Sequence, residues 1–164
     1  MVDPGVRVLV LGSLPGEASL AAAQYYAHPQ NQFWRLMGAV TGLDLAGAAY
    51  PDRIAGLLGA GVGLWDVVKS AERAGSLDAA IRNPAANPLV AFVRALPTLK
   101  AVAFNGGTAA RIGGKLLGAE ADLALIPLPS SSPAYTAPFE TKRAAWLQLT
   151  AFLDPSIPRN PRPA

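Results

Sequence analysis

The hydrophobic positions of the chain alternate between short continuous runs and longer stretches with helical spacing. Short apolar runs are typical of strands buried on both faces, as in a parallel sheet. Apolar residues three and four positions apart are typical of helices that bury one face. The pattern predicts strands at 6–11, 62–68, 101–104 and 123–128, helices at 32–40, 52–58, 88–96, 108–117 and 140–152, and shorter helical pieces at 18–23 and 76–81.

This alternation of strands and helices predicts the fold class. It favours an α/β protein, a three-layer α/β/α sandwich in which helices cover both faces of a four-stranded parallel sheet. No internal repeat or second domain is evident, so we predict a single domain over residues 1–153. Residues 154–164 hold four of the fifteen prolines and few apolar residues, which predicts a loose C-terminal tail.

Composition excludes several classes of protein. The chain has 164 residues, 51% of them hydrophobic, which suffices for a core without metal or disulfide support. Cysteine is absent, which excludes disulfides, thiolate zinc sites and iron–sulfur clusters. With one histidine, a histidine-rich metal site is excluded as well, and we predict no metal and no cofactor.

Location and partners follow from hydropathy and charge. No run approaches the roughly 18 apolar residues that a membrane span needs, and the N-terminus lacks the features of a secretory signal. We therefore expect a cytoplasmic monomer that makes no membrane contact. The net charge is +3 without any run of basic residues, so binding to DNA would rely on loops and helix N-termini.

The densest chemistry follows the first predicted strand. The turn Gly12-Ser13-Leu14-Pro15-Gly16 stands where open α/β sheets place ligands, and its backbone N–H groups suit a phosphate. It has neither the lysine and hydroxyl of a triphosphate loop nor the spacing of a dinucleotide fingerprint. Two interpretations of this segment therefore remain: a plain tight turn and a binding site.

The segment 25–34 combines aromatic rings with amides, which suits a pocket for a flat polar ring such as a nucleobase. Within it, Phe33 and Trp34 fall on the core face of the next predicted helix. Asn31 immediately precedes that helix and is predicted to cap it. His28 stands before a proline, and a structural hydrogen bond is its favoured role.

Three parts of the chain resemble the uracil-DNA glycosylase superfamily. They are the first turn with Tyr26–Trp34, the strand end Phe104-Asn105-Gly106, and the loop Leu128-Pro129-Ser130-Ser131-Ser132-Pro133. The resemblance is closest to the hypoxanthine (deoxyinosine) DNA glycosylase branch and extends to the mismatch-specific uracil/thymine branch. It runs from Val8 to about Trp146 and implies the strand order 2-1-3-4.

The resemblance also implies where catalysis occurs. Leu14 stands where the mismatch branch has a catalytic asparagine, and the hypoxanthine branch likewise lacks that residue and has its essential asparagine at the position of Asn31. The resemblance therefore implies that Asn31 is catalytic, its amide holding a water for attack at C1′. A transition state with positive charge on the sugar needs electrostatic positioning rather than a strong base.

Further site residues follow from the same resemblance. Tyr26 is at the position of the aromatic residue that stacks on the base. The Asn105 amide offers the donor and acceptor that match the lactam edge shared by hypoxanthine and uracil, although an asparagine before two glycines is also common in turns. The predicted base-binding residues are Gly12, Ser13, Leu14, Tyr26 and Asn105, and the predicted DNA-binding residues are Pro15, Gly16, Ser130, Ser131, Ser132 and Tyr135.

These expectations combine into one function with an alternative. The resemblance implies a monofunctional DNA glycosylase that flips a deaminated base from DNA and hydrolyses its N-glycosidic bond, with hypoxanthine favoured and uracil second. No lysine lies in the catalytic segments, so lyase chemistry is not predicted. Leu14 and Leu128 are apolar where polar catalytic groups often stand, which keeps an inactive nucleic-acid-binding module as the alternative. A small-molecule enzyme that binds phosphate at the first turn ranks third.

Overall fold

The computed structural model describes residues 1–72, 82–118, 120 and 122–156. Strands and helices alternate along most of this length, as the hydrophobic pattern predicted. In chain order the elements are β1 (Val8–Gly12), α1 (Glu17–Ala22), α2 (Phe33–Thr41), α3 (Tyr50–Gly59), β2 (Val62–Asp66), β3 (Val68–Glu72), β4 (Arg82–Ala86), α4 (Leu89–Arg94), β5 (Ala101–Asn105), α5 (Gly107–Leu117), β6 (Ala124–Leu128), α6 (Phe139–Trp146) and a 3₁₀ helix (Leu147–Phe152).

The main sheet has the strand order β2-β1-β5-β6, and all its strands are parallel. Counted along the chain, these four strands have the order 2-1-3-4, so that prediction is confirmed. The register places Gly12 beside Asp66 at one side of β1, and Asn105 beside Leu128 in the neighbouring pair. The carboxyl ends of the four strands therefore meet along a single edge, where the loops that follow them converge.

Two apolar cores lie on opposite faces of this sheet, because successive side chains of β1 point to opposite sides. Val8 and Val10 belong to the core that contains Phe33 and Trp146, from α2 and α6. Leu9 and Leu11 belong to the second core, which α4 and α5 cover with side chains such as Leu89 and Leu117. The three-layer α/β/α sandwich is therefore confirmed.

Helix α2 is the element that carries the sequence from the first loop into the core. Its buried residues include Phe33, Leu36, Met37 and Val40, at the spacing that places side chains on one helical face. The helix ends at Thr41 and is capped by Gly42, whose φ of +78° is the left-handed conformation that glycine adopts without strain.

The predicted strand 62–68 is wrong for its last two residues. β2 ends at Asp66, and Val68 begins β3, which pairs with β4 in a separate two-stranded antiparallel sheet. Ladder hydrogen bonds between strands override the continuous apolar pattern at this point. The short helix predicted at 76–81 lies outside the described residues.

The predicted helix 140–152 is also corrected. α6 ends at Trp146 and continues as a 3₁₀ helix, with Trp146 and Leu149 buried and Phe152 partly buried. Residues 154–156 of the predicted tail are described and the remainder are not, so the domain division at residue 153 stays a prediction. None of the helices within the described ranges has the length and apolar character needed to cross a membrane.

Candidate active site

A cavity of about 1020 Å³ opens at the carboxyl edge of the main sheet. The loops after β1, β5 and β6 form its walls, together with the end of β2, α1 and the segment that leads into α2. The structure brings the sequence-predicted site residues together here. Those that line the cavity are Gly12, Ser13, Leu14, Pro15, Gly16, Tyr26, His28, Asn31, Asn105, Ser130, Ser131, Ser132 and Tyr135.

Asn105 and Ser131 form a reciprocal pair at the floor of this cavity. The Asn105 Nδ2 donates to Ser131 Oγ at 2.8 Å, and the Ser131 backbone N–H donates to Asn105 Oδ1 at 2.8 Å. The side chains are 7% and 0% exposed, so both bonds are shielded from water. The amide keeps one further N–H and one further lone pair, which is the capacity that base recognition would use.

Ser131 also reaches the start of α2. Its carbonyl oxygen accepts a hydrogen bond from the Gln32 backbone N–H at 3.0 Å. One buried serine therefore connects the end of β5, the loop after β6 and the segment that carries Asn31.

Asn31 lines the cavity and caps α2 with its side chain. Its Oδ1 accepts a hydrogen bond from the Phe33 backbone N–H at 3.0 Å. The residue at the N-cap position is Gln32, so the predicted helix boundary is wrong by one residue although the predicted capping contact exists. The cap holds the Asn31 amide in place and occupies one lone pair of Oδ1, which leaves the second for a water.

Tyr26 forms part of the cavity wall and is supported from behind by the core. Its ring stacks on Phe33 with centroids 3.8 Å apart and an interplanar angle of 18°. Its φ of +54° lies in the left-handed region, which is uncommon for an aromatic residue. Phe33 and Trp34 are 0% and 4% exposed, as expected of core residues. With one ring face covered by Phe33, Tyr26 can receive a base only on its opposite face.

Gly12 marks a close approach between β1 and β2. A Cβ at this position would lie 2.6 Å from Asp66 Oδ1 and 3.2 Å from the Tyr26 hydroxyl. The carbonyl oxygens of Gly12 and Ser13 accept hydrogen bonds from the backbone N–H groups of Val67 and Val68, at 2.9 and 3.0 Å. Because a side chain at position 12 would displace the Asp66 carboxylate and the Tyr26 hydroxyl, this position requires glycine.

Asp66 is a cavity residue to which the sequence analysis assigned no chemistry. It is half-buried at the end of β2 and lines the cavity. Burial, the negative charge of Asp66 and the neighbouring Tyr50 together raise the pKa of Tyr25 to about 12, in that order of importance. A carboxylate here is an acceptor of hydrogen bonds and a source of negative potential inside the cavity. Its signal in the sequence is an acidic residue within the predicted strand 62–68, which has no other charged residue.

Arg111 was also missed. It is exposed on α5 and lines the cavity together with Thr108 and Gly107, which begin that helix. Gly106 precedes them with a φ of +99°, so the turn out of β5 requires glycine. An arginine beside backbone N–H groups at a helix start suits contact with DNA phosphates.

His28 makes a structural hydrogen bond of the kind that the sequence favoured. Its side chain is exposed, and its Nδ1 accepts a hydrogen bond from the Gln30 backbone N–H at 3.2 Å. The His28 carbonyl oxygen accepts a bond from the Asn31 backbone N–H at 2.9 Å. These contacts shape the turn that presents Asn31.

The loop after β6 is organised by its own serines. Ser130 Oγ accepts from the Ser132 backbone N–H at 3.2 Å, and Ser132 Oγ accepts from the Ala134 N–H at 3.2 Å. Such local bonds from hydroxyl to backbone define tight turns. The loop also carries Tyr135, which is 48% exposed at the rim of the cavity.

The fold and the cavity define a class: a three-layer α/β protein whose site lies at the carboxyl edge of a parallel sheet and joins an aromatic ring to amide and carboxylate groups. The family model described as "Uracil DNA glycosylase superfamily" matches residues 1–152. The chain belongs to the uracil DNA glycosylase superfamily, and it is a DNA glycosylase, a hydrolase of DNA repair.

Relatives support this assignment along most of the chain. A protein of Methanosarcina acetivorans named "Hypoxanthine DNA glycosylase" is 34% identical over 89% of this chain and 91% of its own length. A protein of the same name from Methanosarcina barkeri is 42% identical over 65% of this chain and 67% of its own. The solution NMR structure of a candidate uracil DNA glycosylase from Methanosarcina acetivorans matches with a TM-score of 0.78 and 33% identity, covering 91% of each chain.

Proposed function

We propose that this DNA glycosylase removes hypoxanthine from DNA, with uracil as its second substrate. The observation that carries the proposal is the cavity itself, in which Tyr26, Asn31 and Asp66 surround a space large enough for a nucleoside. The names of the two Methanosarcina relatives support hypoxanthine as the preferred base.

The target base must leave the helical stack to reach this cavity, because its glycosidic bond is inaccessible within a duplex. In the proposed complex the base lies against the face of the Tyr26 ring opposite Phe33. Stacking on an aromatic ring contributes roughly 1–3 kcal/mol per base and is independent of base identity. Asn105 supplies the remaining donor and acceptor for the lactam edge that deamination creates.

Hydrolysis then breaks the bond between the sugar C1′ and the base nitrogen. The electron pair of that bond leaves with the base, and the sugar becomes cationic. A water held by the Asn31 amide oxygen adds to C1′ and loses a proton, while the base anion gains one. Asp66 adds negative charge to the side of the cavity where positive charge develops, which lowers the energy of the transition state.

The predicted DNA-binding residues serve the DNA backbone and the rim, except Ser131, which is buried against Asn105. Pro15 and Gly16 lie with Ser130 and Ser132 along the cavity wall, where loop N–H groups and hydroxyls suit phosphate oxygens. Tyr135 is the candidate to fill the space that the flipped base vacates. We expect a monomer acting in the cytoplasm.

The test is a single-turnover assay at enzyme excess on labelled oligonucleotides that carry one hypoxanthine or one uracil, with alkali to cleave the abasic sites. We expect release of hypoxanthine faster than release of uracil. Release of uracil alone would contradict the preferred substrate, and release of neither base would favour a module that binds DNA without catalysis. Asn31→Ala serves as the variant that should bind DNA without turnover.

A further inference from the structure

Lys142 is a charged residue that is almost fully buried. It lies on α6 and is 1% exposed. No carboxylate of the described residues forms an ion pair with it. Burial lowers the pKa of the ammonium, since removal from water disfavours the charged form. A lone buried lysine is unfavourable for stability, so its contacts must explain why it is there.

The contacts of Lys142 lie in the loop after β6. Its Nζ donates to the Ser132 carbonyl oxygen at 3.3 Å and lies 5.4 Å from the centre of the Tyr135 ring. The same Ser132 carbonyl accepts the Tyr135 backbone N–H at 3.1 Å, which closes a turn through Pro133 and Ala134. Proline is favoured at the second position of such a turn because its φ is already fixed.

The ammonium therefore holds the turn at both ends. At Ser132 it donates a hydrogen bond to the carbonyl oxygen that closes the turn. At Tyr135 it faces the aromatic ring that the turn carries. Cation–π contacts are worth most when the cation is removed from water, as it is here. The result is an exposed aromatic side chain on a firmly held turn, at the rim of the cavity.

We propose that Lys142 is a positioning residue that holds the Ser132–Tyr135 turn so that Tyr135 enters the duplex beside the flipped base. This inference rests on the proposed function, because it assumes that a base must be extruded. Its consequence is specific to duplex DNA. In a single strand the base has no partner to leave and few neighbours to unstack, so the turn contributes little there.

The experiment compares single-turnover release of hypoxanthine from one oligonucleotide, single-stranded and paired. The variants are Lys142→Met, Lys142→Arg, Tyr135→Ala and the double variant K142M/Y135A. Lys100→Met is the matched control, since Lys100 is exposed before β5 at the opposite edge of the sheet. Lys142→Gln keeps an N–H donor without the charge and replaces K142M if that variant does not fold.

For Lys142→Met we expect the ratio of single-strand to duplex rate to rise about tenfold, the effect of losing one desolvated cation–π contact. Lys142→Arg should retain most of the duplex rate, and the double variant should be no slower on duplex than Tyr135→Ala, because both act through one ring. Equal losses on both substrates, or additive losses in the double variant, would overturn the inference. A wild-type protein inactive on both substrates would instead contradict the proposed function.

Discussion

Asn105 and Ser131 exchange two hydrogen bonds of 2.8 Å across the ends of neighbouring strands β5 and β6. Neither residue can be replaced by an apolar one without leaving a buried polar group of the other unpaired. The pair therefore belongs to the framework of the cavity as well as to its surface.

Ser131→Ala should destabilise the fold by about 1–3 kcal/mol, because the Asn105 N–H loses its acceptor in a buried site. Thermal or denaturant unfolding measures the change. The exposed Ser156 gives a matched control, and Ser156→Ala should change stability by less than about 0.5 kcal/mol. The double variant N105A/S131A should cost less than the sum of the single variants, and full additivity would contradict the coupling.

Asn31 has two roles that a serine separates. Asn31→Ala should remove both the cap on Phe33 N–H and the water-holding amide, with a loss of turnover of about 100-fold or more. Asn31→Ser keeps a good capping oxygen, so its stability should match wild type within about 0.5 kcal/mol while turnover stays lost. Single-turnover rates measure the catalytic role in both variants, and unfolding curves measure the capping role. A fully active serine variant would reduce Asn31 to a helix cap.

Asp66→Asn tests the negative charge in the cavity. Turnover should fall about tenfold or more, equivalent to roughly 1.4 kcal/mol of transition-state stabilisation, while affinity for DNA changes little. Asp122→Asn is the matched control because Asp122 is exposed before β6, at the edge away from the cavity. An unchanged rate in the Asp66 variant would show that its charge does not act on the sugar.

Stability should fall at high pH because of Tyr25. Its pKa is raised to about 12 in the folded protein, whereas an exposed tyrosine in the unfolded chain titrates near 10. Below pH 10 the folded and unfolded states both hold the Tyr25 proton, so the contribution of Tyr25 to the free energy of unfolding is constant. Between pH 10 and 12 the unfolded chain releases the proton while the folded one retains it, so the free energy of unfolding decreases. Tyr25→Phe should lose less stability than wild type over this interval, as measured by denaturant unfolding at each pH. Parallel curves for the two proteins would exclude Tyr25 as the cause.

Local patterns predicted the main sheet because its central strands, β1 and β5, are buried on both faces. The residues of β1 are apolar at every position from Val8 to Leu11, and the helices between strands have clear periodicity. The sheet of β3 and β4 was missed because Lys69 and Glu72 give β3 no apolar run, and its pairing with β4 depends on a distant segment.

Site residues that stand together in one sequence motif were predicted. Site residues that only the fold brings together were missed. Asn31 and Tyr26 stand in one recognisable segment. Asp66 lies close to Gly12 only because β2 lies beside β1 in the sheet, and the local sequence does not predict that contact. The bond between Asn105 and Ser131 is likewise a product of strand order.

The parallel main sheet has a consequence for how this enzyme gains and loses activity. Each of its strand pairs joins segments separated by a crossover, so the ends that surround the cavity meet only when distant parts of the chain have found one another. Cavity residues span positions 12 to 135, so a short fragment of the chain contains only some of them. We expect activity to appear late in folding and to disappear on a single internal cut, so that base release reports the completeness of the whole fold.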